Sequence, residues 1–111
     1  MHRGWTLATD NQGSALQPVK FRLGNNYPNP CNPETTIEFS VPKQSEVMFK
    51  IFNILGEEMY RMQDDNLSSG VYRVRWNGVN KFGIQAPSGI YFYQLKAGDS
   101  FMLTKKMTLL K

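Results

Sequence analysis

The sequence predicts an all-β domain, a small antiparallel β-sandwich of about seven strands. From Phe21 onward apolar and polar residues alternate, the period-two pattern of strands with one buried face. Clusters of Gly, Asn, Asp and Pro break that alternation every few residues, as turns do. No segment carries a persuasive helical period. Strands separated by turn signals, without helices between them, pack as two antiparallel sheets.

Residues 1–20 show no sustained period and read as a linker or as the tail of something removed, with Trp5 and Leu7 their substantial apolar anchors. Phe21 and Leu23 suggest a short opening strand. The segment Tyr27-Pro28-Asn29-Pro30-Cys31-Asn32-Pro33 follows. Each proline fixes its own φ, lacks a donor N–H and biases the preceding residue towards extended geometry. Tyr27, Asn29 and Asn32 therefore belong to a stiff, extended lead-in to the next strand. An ordinary Pro/Asn loop has the same composition.

Ile37, Phe39 and Val41 then alternate with Glu38 and Ser40 until Pro42 stops the strand. Val47, Phe49 and Ile51 form the apolar face of another, which turns at Asn53-Ile54-Leu55-Gly56, with Gly56 free to take positive φ. Glu58 to Met62 is a weaker strand, and Asp64 to Gly70 reads as a loop. Tyr72, Val74 and Trp76 face one way, Arg73 and Arg75 the other. Asn77 to Gly89 is a long loop. Tyr91, Tyr93 and Leu95 mark the next strand, Ala97-Gly98-Asp99 its hairpin turn, and a last strand runs from about Phe101 to Leu110. Uneven strands close poorly as an up-and-down barrel, and the pattern suits an immunoglobulin-like arrangement without its disulfide.

Composition narrows the function. The 111 residues are 41% hydrophobic and 20% charged, a globular profile with one domain's worth of chain. Net charge is +4, and the thirteen Lys and Arg are spread along the chain, which argues against a nucleic-acid partner. The single cysteine, Cys31, excludes an intrachain disulfide framework, and the single histidine, His2, leaves no Cys/His zinc cluster. No apolar run approaches the ~18 residues of a transmembrane span. The first twenty residues also lack the apolar core of a secretory signal. If the protein is exported, this sequence is a fragment of it and the export signal lies upstream.

No catalytic constellation emerges, because a hydrolase needs a nucleophile beside an oriented base. Glu57-Glu58 and Asp64-Asp65 are adjacent carboxylates, which neither strand nor loop geometry aims at one substrate. We therefore expect neither an enzyme nor a cofactor. The loop from Trp76 to Gly83 has the spacing of a small calcium site but offers Asn77 and Asn80 where calcium wants carboxylates. Asx turns explain those residues better. Trp76, Tyr91, Phe92 and Tyr93 would stack on sugars if exposed, but aromatics in so small a sandwich are normally core. Phe52 and Phe92 lie opposite their strands' main apolar set and are candidates for an exposed patch. Lys105-Lys106-Met107-Thr108-Leu109-Leu110-Lys111 is basic and apolar at once. It is either an edge strand protected by lysines or one that a partner grips by strand addition.

Taken together, Asn26 to Pro30 with Asn32-Pro33, then Thr35-Thr36-Ile37, Ile51 to Gly56, Leu67 to Tyr72 with Gly70, Trp76-Asn77-Gly78, Ser88 to Tyr93 and Lys105-Lys106-Met107 resemble the type A C-terminal sorting domain of type IX (Por) secretion cargo. The same pattern is similar to the immunoglobulin-like domain of flagellar hook-capping proteins. The resemblance spans about residues 21–111, with residues 1–20 before it. Its framework positions here are Tyr27, Pro28, Asn29, Pro30, Asn32, Pro33, Asn53, Gly56, Gly70, Trp76 and Gly78. Two departures stand out: Cys31 replaces a usual aromatic, implying looser packing of the lead-in, and Asn77 and Asn80 replace Asp.

The resemblance implies a non-catalytic address label at the end of an exported cargo protein, read by the outer-membrane translocation machinery after passage through the periplasm. It also implies that a surface sortase cuts the linker, within residues 10–20, and leaves the cargo at the cell surface or outside. Gly89, Tyr91, Lys105, Lys106, Met107, Leu109, Leu110 and Lys111 match the motifs nearest the recognition end. Alternatives from other classes are a structural or adhesive module and a carbohydrate-binding accessory domain.

Overall fold

The computed structural model describes residues 5–7 and 18–110. Among them are eight strands and no helix: β1 (Trp5–Leu7), β2 (Arg22–Leu23), β3 (Thr35–Val41), β4 (Ser45–Asn53), β5 (Glu58–Leu67), β6 (Gly70–Trp76), β7 (Gly89–Ala97) and β8 (Phe101–Leu109). They form two four-stranded antiparallel sheets, in the orders β1-β6-β3-β2 and β5-β4-β7-β8. The expected immunoglobulin-like sandwich is thus the observed fold.

The alternation read in the sequence becomes the core. Ile37, Phe39 and Val41 of β3, Val47, Phe49 and Ile51 of β4, Val74 and Trp76 of β6, and Tyr93, Leu95 and Ala97 of β7 are all essentially sealed from solvent. Register explains how they meet. Phe39 sits opposite Tyr72 in the first sheet, with ring centroids 5.5 Å apart. Between the sheets, Trp76 of β6 packs on Tyr91 of β7 at 5.6 Å. Each large aromatic buries on the order of 150–250 Å², so a few such contacts carry much of a small core.

The outward residues form the complementary pattern. Arg73 and Arg75 of β6 pair with Glu38 at 3.2 Å and Glu34 at 2.7 Å. All four are exposed, and such pairs contribute little stability. On the other sheet Glu58 holds Arg61 at 3.0 Å and lies 3.8 Å from Lys50. The Arg61 hydrogen bond is the main reason the Glu58 carboxyl is held below its usual range.

Three local expectations are revised. Trp5–Leu7, inside the expected linker, pairs with Leu7 opposite Tyr72 and Trp5 opposite Val74. Three residues are too few for alternation to register as a period. The expected loop from Asp64 is still strand, because β5 continues to Leu67. Its polar residues Asp65 and Asn66 are exposed on a sheet edge, where charge blunts pairing with other chains. The proline segment is also no straight lead-in to β3. Its Tyr27–Pro28, Asn29–Pro30 and Asn32–Pro33 bonds are all cis, and it crosses one end of the sandwich from one sheet to the other. Tyr27 bridges Thr36 of β3, and Cys31 bridges Leu109 of β8.

Candidate functional site

The closing strand β8 runs along the margin of its sheet, paired with β7 from Ala97 opposite Phe101 to Gly89 opposite Leu109. Its inward residues at the far end are core. Met107 and Leu109 are 1% and 0% exposed, and Tyr91, opposite Met107, is also buried. The Tyr91 hydroxyl donates to the Pro87 carbonyl at 2.6 Å, tying β7 to the preceding loop. Burial raises the Tyr91 phenol above its ordinary range, and the neighbouring Cys31 thiol adds to the shift.

The lead-in clamps the outer edge of β8 at this end. The Cys31 N–H donates to the Thr108 carbonyl at 2.9 Å, and the Leu110 N–H donates to the Cys31 carbonyl at 2.8 Å. The Thr108 N–H, pointing the same way, donates to Asn29 Oδ1 at 3.3 Å. Cys31 Sγ also donates to the Thr108 carbonyl, at 3.2 Å. Cys31 is fully buried, and that burial pushes its thiol pKa up. Cys31, where the resemblance implied looser packing, is held to the last strand by its backbone N–H and carbonyl, with the thiol adding a third contact.

Two polar residues, Asn26 and Thr35, hold the lead-in itself, and both are buried. Asn26 Nδ2 donates to the Pro28 carbonyl and to Thr35 Oγ1, both at 3.2 Å, while Thr35 Oγ1 donates to the Pro28 carbonyl at 2.9 Å. Further along, the Tyr93 hydroxyl donates to the Gly24 carbonyl at 2.8 Å, and Lys105 Nζ donates to Asn25 Oδ1 at 3.0 Å. Phe21 stacks on Phe101 with centroids 5.4 Å apart. Asn25 and Asn26 are the contributors that sequence reasoning underrated. An Asn beside prolines signals a turn, and nothing in composition says which carbonyl or lysine it will meet.

The structure thus divides the residues assigned to the recognition end. Lys106 and Leu110 are exposed, Gly89 and Lys105 are half-buried, and Tyr91, Met107 and Leu109 lie in the core. A partner meeting the folded domain touches the first group and not the last. Lys111 lies outside the described residues.

The other sequence candidates are occupied structurally. Asn80 Oδ1 accepts the N–H groups of Phe82 and Ile84 at 2.9 and 3.0 Å, and Asn53 Oδ1 accepts those of Leu55 and Glu57, both at 2.9 Å. Both asparagines are turn-formers, as expected from their side-chain geometry. Trp76 spends its indole N–H on the Val79 carbonyl at 2.8 Å. With Trp76, Tyr91 and Tyr93 buried, sugar stacking would fall to Phe92, which is half-buried opposite Phe52 on the solvent face.

This fold recurs in solved structures of low sequence identity. FLGD from P. aeruginosa matches with a TM-score of 0.55 and 17% identity, over 69% of this chain and 63% of that one. The dimeric latent PorU from Porphyromonas gingivalis matches at 0.62 and 17%, over 86% of this chain and 10% of that one. PorZ, described as an essential bacterial surface component of the type-IX secretion system of the same organism, matches at 0.50 and 18%, over 90% of this chain and 13% of that one. This chain spans less than two-thirds of each. No curated protein sequence matches it.

Among the described residues, β8 is bonded to the lead-in at one end and has no strand paired to its outer edge along the rest. The profile of the secretion system C-terminal sorting domain matches residues 25–109. The chain belongs to that family, the sorting signals of type IX, or Por, secretion, whose members are in general not catalysts. Such a domain directs its cargo to the cell surface or the outside.

Proposed function

We propose that the folded domain is read along its closing strand by the outer-membrane translocation machinery, as the label of an upstream cargo domain in the same polypeptide. The cargo reaches that machinery through the periplasm, and a surface sortase then cuts within residues 10–20. The observation that carries this reading is the asymmetry of β8. Met107 and Leu109 anchor the strand in the core, while Lys106 and Leu110 stay exposed. A label must be stable enough to survive transit and still expose side chains to its reader, and this strand does both. Val19 and Lys20 are exposed just before the domain, where a protease finds accessible backbone.

The test fuses residues 21–111 behind a signal peptide and a reporter in a host with this secretion system. Surface delivery is expected to fall when Lys105 and Lys106 are both replaced by Ala, with the melting temperature of the purified domain essentially unchanged. Full delivery by that variant, and by a chain lacking Thr104–Lys111, would refute the assignment.

A further inference from the structure

We propose that the free edge of β8 between Met102 and Lys106 accepts an extended partner strand carrying two adjacent acidic residues and, one residue further on, two adjacent apolar ones. The proposal deepens the sorting reading by naming what the label's reader presents, and it rests on that reading for its biological use.

The geometry begins with the clamp. The Thr108 N–H and carbonyl both point away from β7, towards Asn29 and Cys31. The β7–β8 register is uninterrupted from Phe101 to Leu109. Strand periodicity therefore turns the N–H and carbonyl groups of Met102, Thr104 and Lys106 to that same outer side. Among the described residues no strand pairs with β8 there. The lead-in occupies the position next to Thr108, so an incoming strand stops short of it and has about five residues of edge to pair with.

The side chains along that edge specify the partner. Met102 and Leu103 are 61% and 41% exposed, which is unusual for two consecutive apolar residues on a strand. They point to opposite faces, so an added strand would cover each with one of its own side chains. One residue on, Lys105 and Lys106 likewise face opposite sides. Neither has a carboxylate partner among the described residues, since Lys105 meets only the neutral amide of Asn25. Edge lysines discourage pairing with a second copy of the same strand, where like charges meet. The same lysines attract an acidic strand, so one pair of residues excludes the wrong occupant and favours the right one.

An antiparallel partner, the more stable pairing per residue, reads acidic-acidic-polar-apolar-apolar from its N-terminus. The probe is the synthetic peptide Thr-Glu-Glu-Thr-Val-Leu-Thr, titrated into the full 111-residue chain and followed by heteronuclear NMR. The amides of Met102, Thr104 and Lys106 are expected to shift most. A control peptide with both glutamates changed to lysine is expected to bind at least about tenfold more weakly. The double variant Lys105→Glu/Lys106→Glu is expected to reverse that preference. Thr104→Pro removes an outward N–H without touching the β7 ladder and is expected to abolish binding of both peptides, with thermal melting confirming that it folds.

Absence of binding up to low-millimolar peptide, equal binding of the two peptides, or full binding by Thr104→Pro would overturn the proposal. So would concentration-dependent shifts of the same amides without peptide, which would make a second copy the occupant. None of these readings depends on secretion. Failure here with lysine-dependent delivery in the reporter assay removes the acidic strand and leaves the sorting assignment standing.

Discussion

Replacing Gly78 by Ala tests how tightly the proline lead-in packs against the loop between β6 and β7, where a Cβ on Gly78 would meet Pro33. Gly78 has φ of +80°, and a Cβ there would lie 2.8 Å from Pro33 Cβ, 3.3 Å from Gln85 Nε2 and 3.6 Å from Leu109 Cδ1. Gly56 is a natural control, with φ of +84° and nothing within 4 Å of the added carbon. Both substitutions carry the left-handed backbone penalty of about 1–2 kcal/mol, partly offset by about 0.4–1 kcal/mol of reduced unfolded-state entropy. Only Gly78→Ala adds overpacking, worth about 1–3 kcal/mol. Pro33 is a ring in a bonded crossing, not a side chain that swings aside. Urea unfolding should therefore place Gly56→Ala about 0–1.6 kcal/mol below the parent and Gly78→Ala about 1–3 kcal/mol lower still. For a domain near this size each kcal/mol corresponds to about 4–8 °C in melting temperature. Equal losses for the two variants would refute the tight contact between the loop and the lead-in.

Other substitutions probe the same architecture. Leu109→Ala empties a fully buried position and should cost about 2–5 kcal/mol, read by urea titration. Tyr93→Phe removes the hydroxyl that bonds the Gly24 carbonyl at 2.8 Å. A loss of about 1 kcal/mol is expected, with faster hydrogen exchange in the segment around Gly24. The Cys31 thiol, buried and raised above its ordinary value of 9.0, should react with a thiol reagent at mild alkaline pH only after unfolding. Tyr60, Tyr72, Tyr91 and Tyr93 are raised above 10.0, chiefly by burial. In every case the unfolded chain releases its proton first. That stability is full below pH 9 and should fall as pH rises through 9 to 10 and beyond, as measured by urea midpoints across that range.

Strands were legible in the sequence wherever burial alternates over several residues, as in Ile37-Glu38-Phe39-Ser40-Val41 and Tyr91-Phe92-Tyr93-Gln94-Leu95. Period two follows from strand stereochemistry alone, so no tertiary information is needed to see it. It failed where pairing, not pattern, makes the strand. Trp5–Leu7 is three residues long and exists because β6 offers it an edge. Asp64, Asp65 and Asn66 are loop formers by propensity, yet the β4 ladder carries the strand through Leu67, because position beside a neighbour outweighs propensity.

The proposed recognition end divides the same way. The basic and apolar composition of Lys105 to Leu110 can be read off the chain, and so can its place at the end of a β domain. Which of those residues a partner can reach cannot. That depends on the proline segment crossing from one sheet to the other and bonding the far end of β8 through Asn29 and Cys31, contacts that join residues 77 and 79 positions apart. Local stereochemistry sets the fold class residue by residue. The free stretch of edge comes from a long-range closure that no local pattern encodes.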